Sequence, residues 1–172
     1  MDYTTTETTS EFHAHPMRRN KQEISLDECL AILKKAPTGV LALVDENNLP
    51  YAVPLNFVYN EASRSIFFHS AVSGHKIDAL HNSSSASFCV IDADDVVPEK
   101  FTTAYRSIIA FGQAEIVKDA DRRRHGLQQL AHKYCPGLDD KANKEIDSAF
   151  ERTCVIELRI EHLTGKKGLE TA

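Results

Sequence analysis

The spacing of apolar residues is helical near the start of the chain and becomes strand-like from residue 38. Ser25 and Glu28 form a capping-box pattern, in which the serine hydroxyl accepts the N–H of Glu28 and the carboxylate reaches back to the backbone of Ser25. The apolar residues that follow at helical spacing are Leu26, Cys29, Leu30 and Leu33. They predict a helix that ends at Pro37, because proline cannot continue the helical hydrogen bonds.

Apolar and polar residues then alternate in short runs separated by turns, a pattern typical of strands. The predicted strands cover residues 39–44, 51–59, 65–70, 85–91, 105–117 and 154–161. Residues 92–103 contain acids and a proline without periodicity and predict a loop, whereas Gly112 predicts a bulge or bend inside the fifth strand. Further helices are expected from about 74 to 82, from 119 to 134 and from 141 to 152. Since most strand connections are hairpin-like, the order favours a mainly β fold of the α+β class, with an antiparallel sheet closed into a small barrel beside flanking helices.

Pro54 lies inside the second predicted strand, where it cannot donate a hydrogen bond to a neighbouring strand. The strand must therefore lie at an edge of the sheet near this residue or face something other than a strand. A flat ligand against the backbone of residues 54–56 and a plain edge strand both satisfy that condition.

The composition is that of an ordinary globular domain. The 172 residues suggest one folded domain over 17–172, preceded by a polar, aperiodic arm over 1–16 that we expect to be flexible. The net charge of −5 is spread along the chain without a basic stripe, so nucleic acid is not an expected partner. No apolar run approaches the roughly 18 residues of a membrane helix, and the first ten residues lack the apolar segment of a signal peptide.

The four cysteines are far apart and form no CxxC pair. They are expected to be free thiols in a reducing compartment rather than zinc ligands, which favours a cytoplasmic protein. His13 and His15 lie in the polar arm and are not expected to bind a metal. We therefore predict no metal site.

The most distinctive stretch runs from Phe67 to Leu80, where a strand leads through a turn into a helix. Ser73 and Gly74 make the turn, and His75 and Lys76 open the helix. Unpaired backbone N–H groups and the positive end of the helix dipole meet at such a point and suit an anion, in particular a phosphate. The alternative is a solvated first helical turn.

Several segments in order resemble the flavin-binding split-barrel proteins related to pyridoxamine 5′-phosphate oxidase, in particular their 5-nitroimidazole-reductase-like branch. The matching segments are Met17-Arg18-Arg19, Gly39-Val40-Leu41-Ala42, residues 51–59, Phe68-His69-Ser70-Ala71, Gly74-His75-Lys76, Ser87-Phe88-Cys89-Val90, residues 97–103, Tyr105-Arg106-Ser107, Phe111-Gly112 and residues 162–166. Together they span nearly the whole folded chain.

This resemblance implies a homodimeric antiparallel split β-barrel with FMN at the subunit interface. It also implies a set of cofactor-binding residues, which are Val53, Pro54, Leu55, Asn56, His69, Ser70, Ala71, Ser73, His75, Lys76, Tyr105, Arg106, Ser107 and Lys166. The first four would border the flavin ring and His75 and Lys76 would bind the phosphate. A phosphomonoester carries about −1.5 to −2 charges near neutral pH, which Lys76, Arg106 and the helix N-terminus can offset.

The function that follows is an FMN-dependent oxidoreductase acting on small molecules such as nitroaromatic compounds, with His69 as the catalytic candidate beside the ring. A non-catalytic flavin-binding or sensing protein is the alternative, and haem binding through His69, His75 or His132 ranks third. Pyridoxamine-phosphate oxidation itself is not expected. The oxidase carries an Arg and a Lys in the strand that here reads Ala52-Val53-Pro54-Leu55-Asn56, and its C-terminal arginine motif has no evident counterpart.

Overall fold

The structure is a computed structural model that describes residues 15–168. Most of the predicted arm, including His13, lies outside the described residues. The helices are α1 (Leu26–Lys35), α2 (His75–Asn82), α3 (Ala120–Tyr134) and α4 (Asp139–Ala149). The strands are β1 (Thr38–Val44), β2 (Pro50–Asn56), β3 (Val58–Asn60), β4 (Ser65–Ala71), β5 (Ser85–Val97), β6 (Thr102–Ile116) and β7 (Thr153–Lys167). Across residues 15–168, no helix combines the length and apolarity needed to span a membrane.

Helix α1 forms as predicted, beginning at a capping box. The Ser25 hydroxyl accepts the Glu28 N–H at 3.2 Å, and the Glu28 carboxylate accepts the Ser25 N–H at 2.9 Å. Cys29, Ile32 and Leu33 form the buried face. Because Leu33 and its neighbours point into the main core, α1 packs against the inner surface of the sheet.

The seven strands form one antiparallel sheet in the order β2-β1-β5-β6-β7-β4-β3. Its two edge strands, β2 and β3, are consecutive in the chain and are separated only by Phe57. The run from Pro50 to Asn60 therefore belongs to both edges, which requires the sheet to curl round on itself. The predicted fold class, an antiparallel split barrel with flanking helices, is confirmed.

The core fills the inside of this curled sheet. Phe88 lies at its centre, with its ring edge-on to Phe57 at 4.8 Å and to Phe68 at 5.0 Å between centroids. A second, smaller cluster forms where α3 and α4 cover the opposite face of β4 and β7, and its buried members are Phe67, Val117, Leu127, Ile146 and Val155. Strand β4 is thus apolar on both faces, which explains its nearly continuous apolar sequence.

The predicted loop over 92–103 is wrong. Strands β5 and β6 continue as a long hairpin whose last pair is Val97–Thr102, with a register shift between Ile91 and Ala93. The acids that concealed the strand pattern, Asp94 and Asp95, are exposed, since this part of the hairpin projects from the barrel. A strand without a buried face has no need of alternating apolar residues.

The bulge predicted at Gly112 is confirmed by a register shift between Phe111 and Gly112 in the pairing of β6 with β7. A Cβ atom at Gly112 would overlap the Arg159 carbonyl oxygen. Only glycine therefore allows the two backbones to approach this closely.

Candidate functional site

The turn between β4 and α2 has the conformation that the sequence predicted. Gly74 precedes the helix with φ +120°, a value that disfavours any residue with a side chain. Its carbonyl accepts the N–H groups of Ile77 at 2.8 Å and Asp78 at 3.1 Å, and no side chain caps the helix. The first N–H groups of α2 therefore point outward beside the exposed residues Ser73 and His75, where they can bind an anion.

Lys76 and Ser70 come together at this helix start. The Lys76 ammonium donates a hydrogen bond of 3.0 Å to the Ser70 hydroxyl, and Ser70 is buried at the end of β4. The strand end thus fixes the position of the ammonium group close to the outward-pointing N–H groups. The structure thus brings together two residues that the sequence predicted to bind the cofactor.

His75 is held from two sides. Its Nε2 lies 3.3 Å from Oδ2 of Asp45, and its ring centroid lies 4.1 Å from that of Tyr51. The contact at Nε2 ties the ring to the turn that follows β1. The sequence offers no signal for this contact, because Asp45 lies thirty residues before His75 in the turn that follows β1.

Asp45 is buried, and both of its carboxylate oxygens have hydrogen-bond partners. Its Oδ1 accepts the N–H groups of Asn47 at 2.8 Å and Leu49 at 2.9 Å. The bond from Leu49 is the main cause that lowers the pKa of Asp45, with further contributions from Asn47 and His75. Glu46 brings a third ligand-type atom within 4.8 Å of Asp45 and His75, but both Asp45 oxygens already accept hydrogen bonds.

Strand β2 lies at an edge of the sheet, as Pro54 required, and pairs only with β1 among the described strands. Pro54 and Asn56 are exposed on its outer face, whereas Val53 and Leu55 are half-buried and pack against the core. The Asn56 amide donates to the Pro37 carbonyl at 2.9 Å. A ligand on the outer face would thus contact Pro54 and Asn56 directly, and Val53 and Leu55 only through their backbone.

That outer face continues across four strands as an exposed apolar surface. The register places Val40 beside Pro54 and beside Cys89, and Cys89 beside Ile109. Val40 and Ile109 are each 37% exposed and Ile91, on the same face, is 62% exposed. Apolar surface of this extent on one sheet face is typical of an interface.

A second group of predicted residues lies at the far end of β6 and β7. Ser107 pairs with Lys166, whose ammonium lies 5.5 Å from the centre of the Tyr105 ring. The Tyr105 hydroxyl donates to Gln22 at 3.0 Å. Arg106 points to the opposite face and forms an ion pair of 2.6 Å with Asp92, whose side chain is 8% exposed.

The two groups of predicted residues lie at opposite ends of β7. Ala71 pairs with Thr153 at its first residue, and Ser107 pairs with Lys166 near its last. Thirteen strand residues at about 3.3 Å each separate the two pairs by about 40 Å of strand path. The predicted cofactor-binding residues therefore form two separate groups within one chain.

His69 lies on the face of β4 opposite to Ser70, because side chains alternate along a strand. It is exposed and pairs in register with Val155. The imidazole is accessible to a ligand, but it does not join Lys76 and Ser70 on their side of the strand. Ala71, two residues on, is exposed on the same face as His69.

Together, the curled sheet and its flanking helices define a split-barrel protein, with an uncapped helix start beside Lys76 and Ser70. A family model described as pyridoxamine 5′-phosphate oxidase matches residues 25–167. The chain belongs to the pyridoxamine 5′-phosphate oxidase family.

Three of the solved structures that share this fold are described below. A candidate 5-nitroimidazole antibiotic resistance protein from Bacteroides thetaiotaomicron is 21% identical, with a TM-score of 0.68 over 90% of this chain and 95% of that one. The flavocytochrome Anf3 from Azotobacter vinelandii is 22% identical, with a TM-score of 0.73 over 91% and 74%. An FAD and heme binding protein from Mycobacterium smegmatis is 22% identical, with a TM-score of 0.71 over 88% and 75%. No curated protein sequence matches the chain.

Proposed function

We propose that this protein binds FMN at the interface of a homodimer and uses it to reduce small molecules, with nitroaromatic compounds as the first class to test. The observation that carries the proposal is the corner formed by Lys76, Ser70 and the start of α2. Its ammonium group, hydroxyl group and outward N–H groups fit a phosphomonoester, which carries about −1.5 to −2 charges. The family match and the flavoproteins among the structural neighbours support the same ligand class.

The separation of the predicted cofactor-binding residues into two groups supports the proposed homodimer, in which each group would form half of a site. Lys76 and Ser70 would hold the phosphate in one protomer, while Ser107, Tyr105 and Lys166 of a second copy would complete the site. The exposed apolar sheet face around Val40 and Ile109 supports this arrangement, because a second copy would cover it.

When bound, the flavin would accept electrons from a donor and pass them to the substrate. Lys76 would hold the phosphate, and the exposed backbone edge and outer face of β2 at Pro54 and Asn56 would border the ring. His69 is the proposed proton donor, because its imidazole is exposed at the strand end that leads to the corner. Arg106 would have to leave Asp92 to contact a phosphate, so its binding role ranks below that of Lys76.

The test is a titration of the purified protein with FMN, FAD and riboflavin, followed by fluorescence. We expect the tightest binding for FMN and a loss of at least about tenfold in FMN affinity for Lys76→Ala, because a charge-assisted hydrogen bond is lost. Lys144→Ala, which removes an exposed lysine of α4, is the matched control. A protein that binds no flavin, or a Lys76→Ala variant with unchanged FMN affinity, contradicts the proposal.

Catalysis and simple binding are separated by anaerobic reduction. An enzyme should lose its flavin colour with NADH or NADPH and regain it on addition of a nitroaromatic acceptor. A bound flavin that responds to neither favours the non-catalytic alternative. Sedimentation velocity tests the dimer, and a Soret band in the purified protein would indicate haem instead.

A further inference from the structure

Phe57 is the residue at which the barrel closes. It separates β2 from β3, lies outside both strand ladders and is completely buried. Its backbone N–H and carbonyl therefore need partners from elsewhere, since an unpaired buried amide is costly. The position also matters for ligand binding, because Phe57 directly follows the segment 53–56 that borders the proposed flavin ring.

The last turn of α3 supplies those partners. The Tyr134 hydroxyl accepts the Phe57 N–H at 2.8 Å and donates to a carbonyl, with Pro37 at 2.6 Å and Phe57 at 2.8 Å both in reach. The Lys133 ammonium donates to the carbonyls of Phe57 at 2.9 Å and Ala36 at 2.7 Å. Two side chains thus tie the end of α1 to the break between β2 and β3.

Lys133 is placed differently from a surface lysine. Its Nζ lies 4.0 Å from the centre of the Phe57 ring and is half-buried between two backbone carbonyls. Burial lowers the pKa of Lys133 to about 8. Even a neutral amine retains two N–H donors, so both carbonyl bonds can persist in either protonation state.

Asn56 is held at the same place as Phe57. Its amide donates to the Pro37 carbonyl, which Tyr134 also contacts. The segment 53–56 is thus anchored at its C-terminal end by Asn56 and Phe57, while its far side is an open sheet edge. The anchor, the pairing with β1 and the packing of Val53 and Leu55 against the core set the position of this edge.

We propose that Lys133 and Tyr134 are positioning residues for the flavin-binding edge of β2, acting through Phe57 and Asn56. The inference rests on the proposed flavin function. Neither side chain need contact the cofactor; together they hold the exposed strand edge in the position that the ring requires. Loss of either side chain would weaken the binding of the ring portion of the ligand, but not the binding of its phosphate.

The test compares Lys133→Met, Tyr134→Phe and the control Lys144→Met in the full-length protein, below the melting temperature of each variant. We expect Lys133→Met and Tyr134→Phe to weaken FMN and riboflavin binding by the same factor, about tenfold. Lys76→Ala should weaken only FMN, because riboflavin has no phosphate. If folded wild type, Lys133→Met and Tyr134→Phe bind flavin with equal affinity, or if the loss is confined to FMN, the inference is overturned.

Hydrogen–deuterium exchange gives a readout that needs no flavin. Peptides covering 53–58 should exchange faster in Lys133→Met and Tyr134→Phe than in wild type or Lys144→Met, while peptides from β5 and β6 stay unchanged. Unchanged exchange at 53–58 overturns the inference. If wild type binds neither FMN nor riboflavin, the proposed function fails, and the exchange result still decides whether these side chains fix the strand.

Discussion

Asp45 and His75 join two parts of the chain that are thirty residues apart, through a contact of 3.3 Å between Oδ2 and Nε2. Asp45 follows β1, and His75 is the first residue of α2. The contact fixes the helix start against the β1–β2 turn. It also places a buried negative charge beside the proposed phosphate corner, so phosphate affinity there must rely on Lys76 and the helix N-terminus.

Asp45 predicts a loss of stability in acid. Its folded-state pKa is below its ordinary value of 3.8, so the folded state binds its proton less readily than the unfolded state. The stabilisation is therefore fully present above about pH 4 and is lost as the pH falls through the lowered pKa. Urea unfolding between pH 2.5 and 6 should show a smaller acid-dependent loss for Asp45→Asn than for wild type, and equal pH profiles would contradict this.

Lys133 predicts a gain of stability in alkali. Its folded-state pKa of about 8 lies below the ordinary value of 10.5, so the unfolded chain binds more protons between these pH values. The cost of burying the charge is fully present below pH 8 and is relieved as the pH rises towards 10.5. The difference in unfolding free energy between wild type and Lys133→Met should therefore shift in favour of wild type from pH 7.5 to pH 10. A pH-independent difference would show that burial does not perturb this lysine.

Arg122 and Glu157 form an ion pair, and we expect their contributions to the free energy of unfolding to be strongly coupled. Glu157 is 6% exposed. Its carboxylate accepts a hydrogen bond of 2.8 Å from Nε of Arg122 and a second hydrogen bond from Nη2 of the same guanidinium. Burial by itself would raise the pKa of Glu157, but the bonds from Arg122 and Ser65 and the charge of Arg122 outweigh it and lower the pKa. Arg122→Met should cost about 2 kcal/mol, since it leaves a buried charge unpaired while the guanidinium is itself partly exposed.

A double-mutant cycle with Glu157→Gln checks the coupling of that pair. The double variant should be more stable than the sum of the two single losses predicts. Additive losses would contradict the pairing. Arg124→Met, which removes an exposed ion pair with Asp147, is the control and should cost less than about 0.5 kcal/mol.

We expect a single methyl group added at Gly112 to cause a large loss of folding stability. Alanine there would overlap the Arg159 carbonyl, and a backbone atom can yield only if the bulge between β6 and β7 rearranges. Gly112→Ala should destabilise by about 3 kcal/mol or more. Gly137→Ala provides the contrast, because that position has open space and a φ of +78°, with an expected cost of about 1 kcal/mol. Similar melting temperatures for the two variants would refute the steric account.

The sequence predicted the elements whose signals are local. The capping box of α1, the bulge at Gly112 and the turn at Gly74 each depend on residues within a few positions of one another. The outer half of the β5–β6 hairpin escaped prediction, because its exposed residues, such as Asp94 and Val96, obey no apolar alternation. The exposed edge at Pro54 was predictable because proline lacks a donor.

The contacts of the candidate site also divide into local ones and ones between distant parts of the chain. The sequence by itself determined the strand end, the glycine turn and the helix start that carry Ser70 and Lys76. The hydrogen bond between these two residues, which are only six positions apart, joins the two ends of that local unit. Tertiary structure alone decided the partners of His75 and Phe57, because Asp45 is thirty residues from His75 and Lys133 is seventy-six residues from Phe57. It also decided that Arg106 faces Asp92 and that the predicted cofactor-binding residues fall into two separate groups. Such contacts depend on how a barrel closes, and closure is set by the packing of the whole core rather than by any local pattern.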